Sequence, residues 1–225
     1  MLFDLDGTLV DTAPDLADAL ALALAECGLP APDPARVTAW IGDGPAALVA
    51  RALVAAAGEP PGAALSARAL ARFSRHYGAN VSRRSRPYPG ARETLEALRA
   101  AGLPVGCVTN KPGAFTTPLL RDLGLAPLLD VVLPGDAGAR TKPDPWPVRR
   151  ACEVLGVAPA QAVLVGDSPQ DALAARAAGA AFVAITHGYT AEDRLRALRP
   201  DLVLDALAQL PARLAPAPPP PRSPR

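Results

Sequence analysis

Four short stretches hold the residues that could do chemistry. The first is Asp4-Leu5-Asp6-Gly7-Thr8, two carboxylates two positions apart behind the apolar pair Leu2-Phe3. Gly7 permits the tight turn that would aim both at one point. The second is Val108-Thr109-Asn110, a hydroxyl and an amide closing an apolar run. The third is Thr141-Lys142-Pro143, an ammonium just ahead of a helical pattern. The fourth is Val163-Leu164-Val165-Gly166-Asp167-Ser168, with Asp171 about one helical turn beyond. Each has an ordinary reading by itself. Asp-Gly is a common turn, Thr-Asn a common strand exit, Lys142 a solvated cation, and Asp167 or Ser168 a helix cap. Taken together they are far more specific. Asp4, Thr109 and Asp167 each fall at the carboxyl end of a different predicted strand. In a parallel sheet those ends share one edge, where α/β folds bind ligands. Carboxylates converging there would repel unless a hard cation sat among them, and an oxygen-only donor set with few protein groups suits Mg²⁺. A nearby ammonium and hydroxyl suit a phosphate dianion. A metal, a phosphate cradle and a free carboxylate describe phosphoryl transfer through an aspartyl-phosphate.

The basic residues sharpen one of these positions. Of 23 Lys and Arg, only Lys111 and Lys142 are Lys. In so Arg-biased a chain, an ammonium marks a place where a planar guanidinium would fit poorly. Lys142 matches that description. Lys111, directly after Thr109-Asn110, reads equally as a supporting residue or as a solvated surface position.

The elements that must position these groups are legible in outline. Apolar runs at Val105–Thr109, Val131–Leu133, Ala162–Val165 and Phe182–Thr186 predict strands, and Leu2–Leu5 predicts a very short one. Between them, Arg92–Ala101, Ala114–Leu123, Val148–Leu155 and Asp171–Ala178 predict helices, each closed by a Gly. Strands that alternate with helices and read as continuous apolar runs predict a parallel sheet covered on both faces. The stretch 15–85 breaks the alternation and is nearly all helical. Thr12 and Asp15 read as an N-cap pair with Pro14 in the first turn, and the helix should stop at Gly28. Gly42-Asp43-Gly44 interrupts a later helix. The division predicted is an α/β core at 1–14 and 86–213, an inserted helical cap at 15–85, and a Pro-rich, extended or disordered tail at 214–225.

The ordered set Asp4-Leu5-Asp6-Gly7-Thr8, Thr109, Lys142 and Gly166-Asp167-x-x-x-Asp171 resembles the four motifs of the haloacid dehalogenase superfamily, over nearly the whole chain to about Leu210. The resemblance implies a Rossmann-like α/β sheet with an all-helical cap of the C1 type. It implies Asp4 as nucleophile and Asp6 as general acid and base. Thr109, Asn110 and Lys142 would hold the phosphoryl group. Mg²⁺ would take Asp4, the backbone carbonyl of Asp6, and Asp167, with Asp171 in support. Asp6 favours phosphate esters over carbon–halogen bonds, because an alkoxide needs a proton to leave and a halide does not. Further stretches, Asp11-Thr12-Ala13-Pro14-Asp15-Leu16, Trp40-Ile41-Gly42-Asp43-Gly44, Arg86-Pro87-Tyr88-Pro89-Gly90 and Thr109-Asn110-Lys111-Pro112, resemble the bacterial phosphoglycolate phosphatases. That implies hydrolysis of 2-phosphoglycolate. Phosphatases of amino-sugar phosphates share part of the pattern. Related sugar-phosphate mutases tend to carry a His where this chain has Leu16. A phospho-accepting regulatory domain is the non-enzymatic alternative. In the helical stretch, Gly42 and Gly44 read either as a helix break or as a place for backbone to approach a small carboxylate. Arg51 and Arg72 read either as cap arginines that could meet a carboxylate or, more simply, as an exposed helix face.

Composition removes other classes. A net charge of +1 over 225 residues supplies no basic face for nucleic acid. The three Cys are scattered, with no C-x-x-C, which predicts neither disulfides nor a zinc site and suits a reducing, cytoplasmic setting. No leader and no membrane-length apolar run are visible. Neither G-x-x-x-x-G-K-[ST] nor G-x-G-x-x-G occurs. The expected partner is a small phosphorylated metabolite, and the expected assembly a monomer or homodimer.

Overall fold

The computed structural model describes residues 1–214. In chain order the elements begin with β1 (Leu2–Phe3), β2 (Val10–Asp11) and the helices α1 (Ala13–Ala25), α2 (Pro34–Thr38), α3 (Pro45–Ala57) and α4 (Ala63–Ala79). The chain then alternates through β3 (Arg86–Pro87), α5 (Ala91–Ala100), β4 (Gly106–Val108), α6 (Gly113–Asp122), β5 (Val131–Leu133), α7 (Trp146–Val154), β6 (Val163–Gly166), α8 (Pro169–Ala178) and β7 (Ala181–Ile185). It closes with α9 (Glu192–Ala197), β8 (Leu202–Leu204) and α10 (Leu210–Leu214).

Six strands form one parallel sheet in the order β5-β4-β1-β6-β7-β8. The shortest strand, β1, lies inside it. Leu2 pairs with Gly106 on one side and Leu164 on the other, so two residues suffice to knit the two halves. Successive side chains point to opposite faces. Phe3, Cys107, Val165 and Val183 therefore pack on one face, and Leu2, Val108, Leu164 and Phe182 on the other. Leu2 and Phe3 are completely buried, each contributing about 1.5–3 kcal/mol of apolar burial. Cys107 and Cys152 sit in these cores as small apolar residues.

The four helices α1–α4 leave the sheet after β2 and return at β3. These two strands pair antiparallel, Val10 with Pro87 and Asp11 with Arg86, and form a two-stranded ribbon at the base of the helical stretch. Leu16, Leu20, Leu53, Phe73 and Tyr77 from these helices join the core that holds Phe3.

Several expectations shift. The predicted strand Leu2–Leu5 ends at Phe3, because Asp4 and Asp6 turn into the loop. Thr12 precedes α1 but does not cap it, since its hydroxyl donates to Asp6 instead. Asp15 does not complete a capping pair either. Its carboxylate accepts from the backbone of Arg84 and Ser85 and from the Ser85 hydroxyl, tying α1 to the chain's return into the sheet. The ribbon β2–β3 and the edge elements α9 and β8 carried no clear pattern and were not among the predicted elements. The predicted tail lies, beyond Leu214, outside the described residues. No helix among the described residues is long and apolar enough to cross a membrane.

Candidate active site

Three loops at the carboxyl ends of β1, β4 and β6 bring the candidate residues together, with Lys142 arriving from the loop before α7. Lys142 is the hub. Its Nζ lies 2.7 Å from Asp4 Oδ1 and 2.6 Å from Asp171 Oδ1, and donates to the Val108 carbonyl at 2.7 Å. An ammonium has three protons, and each meets one oxygen. Burial of Lys142 works to lower its pKa, but Asp171 and Asp4 outweigh that and hold it above the usual lysine range. The Asn110 side chain fixes the Lys142 backbone from both sides. Its amide donates to the Lys142 carbonyl at 2.8 Å and its oxygen accepts from the Lys142 N–H at 2.9 Å. The same amide also donates to the Gly42 carbonyl on the helical side. The Asn110 side chain is therefore committed, which leaves its backbone N–H as the group to face an anion. Thr109 is buried, and its hydroxyl oxygen accepts from the Lys111 N–H at 3.1 Å, leaving the hydroxyl proton to donate.

The acidic residues divide by partner. Asp171 is fully engaged: one oxygen meets Lys142, and the other accepts from the Ser168 backbone and hydroxyl at the start of α8. It completes a helix cap and orients the lysine at the same time. Asp167 accepts from the Thr8 hydroxyl at 2.8 Å and from the Tyr189 N–H at 2.8 Å. Gly7, at φ +86°, lies against it so closely that a Cβ there would collide with the Asp167 carboxylate, and a Cβ on Gly188 would do the same. Asp6 turns the other way. Its Oδ1 accepts from Thr12 at 2.5 Å and pairs with Lys111 Nζ at 2.8 Å.

Asp4, Asp167 and Asp171 each bring a carboxylate oxygen within 4.8 Å of the others. Three buried carboxylates face one ammonium there. Burial, then the charge of Asp171, pushes Asp4 up to about 7 despite Lys142. Burial, then Asp4 and Asp171, holds Asp167 well above the usual carboxylate range. The site thus carries more negative charge than its own cation neutralises. That charge excess, in an all-oxygen setting, fits a hard divalent cation held by Asp4 and Asp167.

Two clefts open onto Asp4 and Asp6. One, of about 440 Å³ counting its mouth, runs beneath α1, α3 and α4 and is walled by apolar groups such as Leu16, Leu48 and Phe73. The other, of about 670 Å³ on the same measure, is polar and holds Asp167, Gln170, Asp43 and Arg51. Between them the Gly42–Gly44 loop sits on the sheet edge. Asp43 accepts from Gln170 and pairs with Arg51, so this loop bridges the helical segment and the core. Arg72 is half-buried rather than on an open helix face: it donates to the Glu26 carbonyl and pairs with the Glu26 carboxylate.

Sequence reasoning left one contributor open and missed three others. Lys111 is not a surface residue: it is buried, ion-paired to Asp6 and 4.7 Å over the Tyr77 ring. Tyr77 shares its cleft. Thr8 stood in plain view beside Gly7 without a role. Tyr189 also had no local signal. Its hydroxyl takes the Thr12 and Ala13 N–H groups and donates to Asp11, while its N–H holds Asp167.

Comparison with known proteins agrees with this geometry. The haloacid dehalogenase-like hydrolase family model matches residues 1–179. A protein of Thiobacillus denitrificans named phosphoglycolate phosphatase is 44% identical over 209 residues, covering 93% of this chain and 92% of that one. One of Escherichia coli K12, with the same name, is 40% identical over 92% of this chain and 89% of its own. The crystal structure of a predicted phosphoglycolate phosphatase from Haemophilus somnus superposes with a TM-score of 0.88 at 37% identity, covering 93% and 94% of the two chains. With four ordered motifs converging on one sheet edge and a family match across most of its length, this chain belongs to the haloacid dehalogenase-like hydrolases.

Proposed function

We propose that the chain is a Mg²⁺-dependent phosphomonoesterase that hydrolyses 2-phosphoglycolate to glycolate and phosphate. The observation that carries the chemistry is the division of labour between Asp4 and Asp6. Asp4 is held at the sheet edge by Lys142, within the charge-rich cluster, with one oxygen on the ammonium and the other left to attack. Asp6 stands outside that cluster, paired with Lys111 and on the wall of both clefts, where a leaving group would lie.

In the first step an Asp4 oxygen attacks phosphorus, the bond from phosphorus to the glycolate oxygen breaks, and Asp6 gives that oxygen its proton. In the second, Asp6 takes a proton from water as the water oxygen attacks phosphorus and the bond from phosphorus to the Asp4 oxygen breaks, which releases phosphate and restores the Asp4 carboxylate. Lys142, the Thr109 hydroxyl and the Asn110 N–H would offer donors to the phosphoryl oxygens as charge redistributes. Bound Mg²⁺ would supply positive charge against the phosphoryl group and Asp4. Helices α1–α4 act as a cap, with the 15–85 stretch shielding the cleft from bulk water.

Two further observations support the substrate. The relatives that match over nine-tenths of the chain are named for phosphoglycolate. Leu16 lines the cleft with Asp6 and has no proton to transfer, which favours simple hydrolysis over a mutase. The test is a kinetic comparison of 2-phosphoglycolate with hexose phosphates and amino-sugar phosphates in the presence of Mg²⁺. A clear preference for 2-phosphoglycolate, abolished in a folded Asp4→Asn variant, is the expected result. Preference for a hexose phosphate would overturn the substrate, and turnover by Asp4→Asn the mechanism.

A further inference from the structure

The apolar cleft beside Asp4 and Asp6 has two polar groups on its wall that the hydrolytic chemistry does not use. One is the Tyr77 hydroxyl. Tyr77 is 1% exposed, and its hydroxyl has no hydrogen-bond partner among the described residues. A buried polar group left unpaired costs about 1–3 kcal/mol, so such a group calls for an explanation. The other is Lys111. Its ammonium carries three protons, yet among the described residues its only charged partner is Asp6 Oδ1, with the Tyr77 ring face beneath it. Lys142, by contrast, spends all three protons on oxygens. The remaining walls are apolar, contributed by Leu16, Ile41, Leu48, Phe73 and Phe115.

A neutral polyol would find few partners on such a wall. A compact anion on a short carbon stem would find two donors on one wall of the cleft, with apolar surface around them to strengthen the attraction. Lys111 follows Thr109-Asn110 on the same loop, so its ammonium is held at a fixed distance from the groups that would grip phosphate. We propose that Lys111 and Tyr77 form the receptor for the carboxylate of the substrate's leaving group, and that they make the enzyme select phosphorylated hydroxy-acids over neutral phosphate esters. This rests on the phosphatase reading above and adds the residues that determine specificity.

The experiment compares two substrates, 2-phosphoglycolate and 2-hydroxyethyl phosphate, in which a neutral alcohol replaces the carboxylate. Wild type, Lys111→Met and Tyr77→Phe are assayed with Mg²⁺, with folding followed by circular dichroism and thermal melting. Tyr77→Phe removes only an unpartnered hydroxyl, so it should melt no lower than wild type. It should nonetheless lose about tenfold or more in kcat/KM for 2-phosphoglycolate, mainly through KM, and little for 2-hydroxyethyl phosphate. Lys111→Met also disturbs Asp6 and should slow both substrates. Its loss on 2-phosphoglycolate should exceed its loss on the alcohol by at least about 30-fold. Equal losses on both substrates would overturn the proposal and leave Lys111 as a partner of Asp6 alone. Wild-type indifference between the two esters would also overturn it, while leaving the phosphatase reading intact. No turnover of 2-phosphoglycolate, with turnover of another phosphate ester, would overturn both this proposal and the substrate assignment.

Discussion

Lys142→Met is the perturbation whose cost can be worked furthest from the structure. The side chain is 2% exposed and its ammonium touches Asp4, Asp171 and the Val108 carbonyl. A methionine fills nearly the same volume but strands two buried carboxylates. Removing one partner of a buried ion pair costs about 3–5 kcal/mol. Here the cost should vary with pH. In the metal-free wild type Asp4 already titrates near 7 rather than near its ordinary 3.8, because burial and Asp171 outweigh Lys142. A carboxylate whose folded pKa is raised contributes its stability at low pH and loses it as pH climbs to the folded value. For Asp4 in wild type that loss ends near pH 7. Without the ammonium the Asp4 pKa rises further, so the variant's Asp4 contribution keeps falling by about 1.4 kcal/mol per pH unit above 7 while that of wild type has levelled, and the raised Asp167 is common to both proteins. Urea unfolding of both proteins in EDTA, at pH 6, 7, 8 and 8.5, measures this. The gap between them should widen by about 1–2 kcal/mol from pH 7 to 8.5. A gap that is constant with pH, or below about 1 kcal/mol throughout, would refute the three-oxygen account of Lys142. Lys142→Arg supplies a second arm. It keeps the charge but puts a planar fork where three oxygens surround a point, and it should lose at least about 100-fold in kcat while remaining folded.

Mg²⁺ should raise the melting temperature more at pH 8 than at pH 6. Asp4 and Asp167, both raised by burial and by neighbouring carboxylates, must lose their protons to bind it, and differential scanning calorimetry with and without Mg²⁺ reads the difference. Gly7→Ala should destabilise by at least about 1–3 kcal/mol, measured by denaturant titration, because φ +86° is strained for alanine and its Cβ would meet the Asp167 carboxylate. Asp43→Ala removes the contacts to Gln170 and Arg51 at the loop between helical segment and core. It should cost no more than about 1 kcal/mol in stability but raise KM several-fold, as steady-state kinetics would report.

The motifs were legible in the sequence because their chemistry is written in residue types. Asp4 and Asp167 are set at the ends of apolar runs, Asp171 lies one helical turn beyond and Lys142 just ahead of a helical pattern, and the runs predict a parallel sheet whose ends coincide. The helices α5–α8 were legible within a few residues from their closing Gly residues. What stayed hidden depended on partners far along the chain. The Thr12 hydroxyl had a local use as a cap, and it took Asp6 instead. The edge strand β8 is recognisable mainly by its pairing with β7. Tyr189 supports Asp167 from the end of the neighbouring strand, 22 residues on.

The contrast between the two lysines shows the same boundary. Scarcity in the sequence singled out both, and position marked Lys142, since a cation between two acidic motifs has one obvious task. By itself the sequence determined the fold class, the cluster of carboxylates and the order of the catalytic motifs, because periodicity and residue type are local properties. Only the tertiary structure decided that Lys111 is buried against Asp6 and Tyr77. That burial is created by α4, which the chain brings over the sheet edge from more than 30 residues upstream, and no local pattern around Lys111 records it.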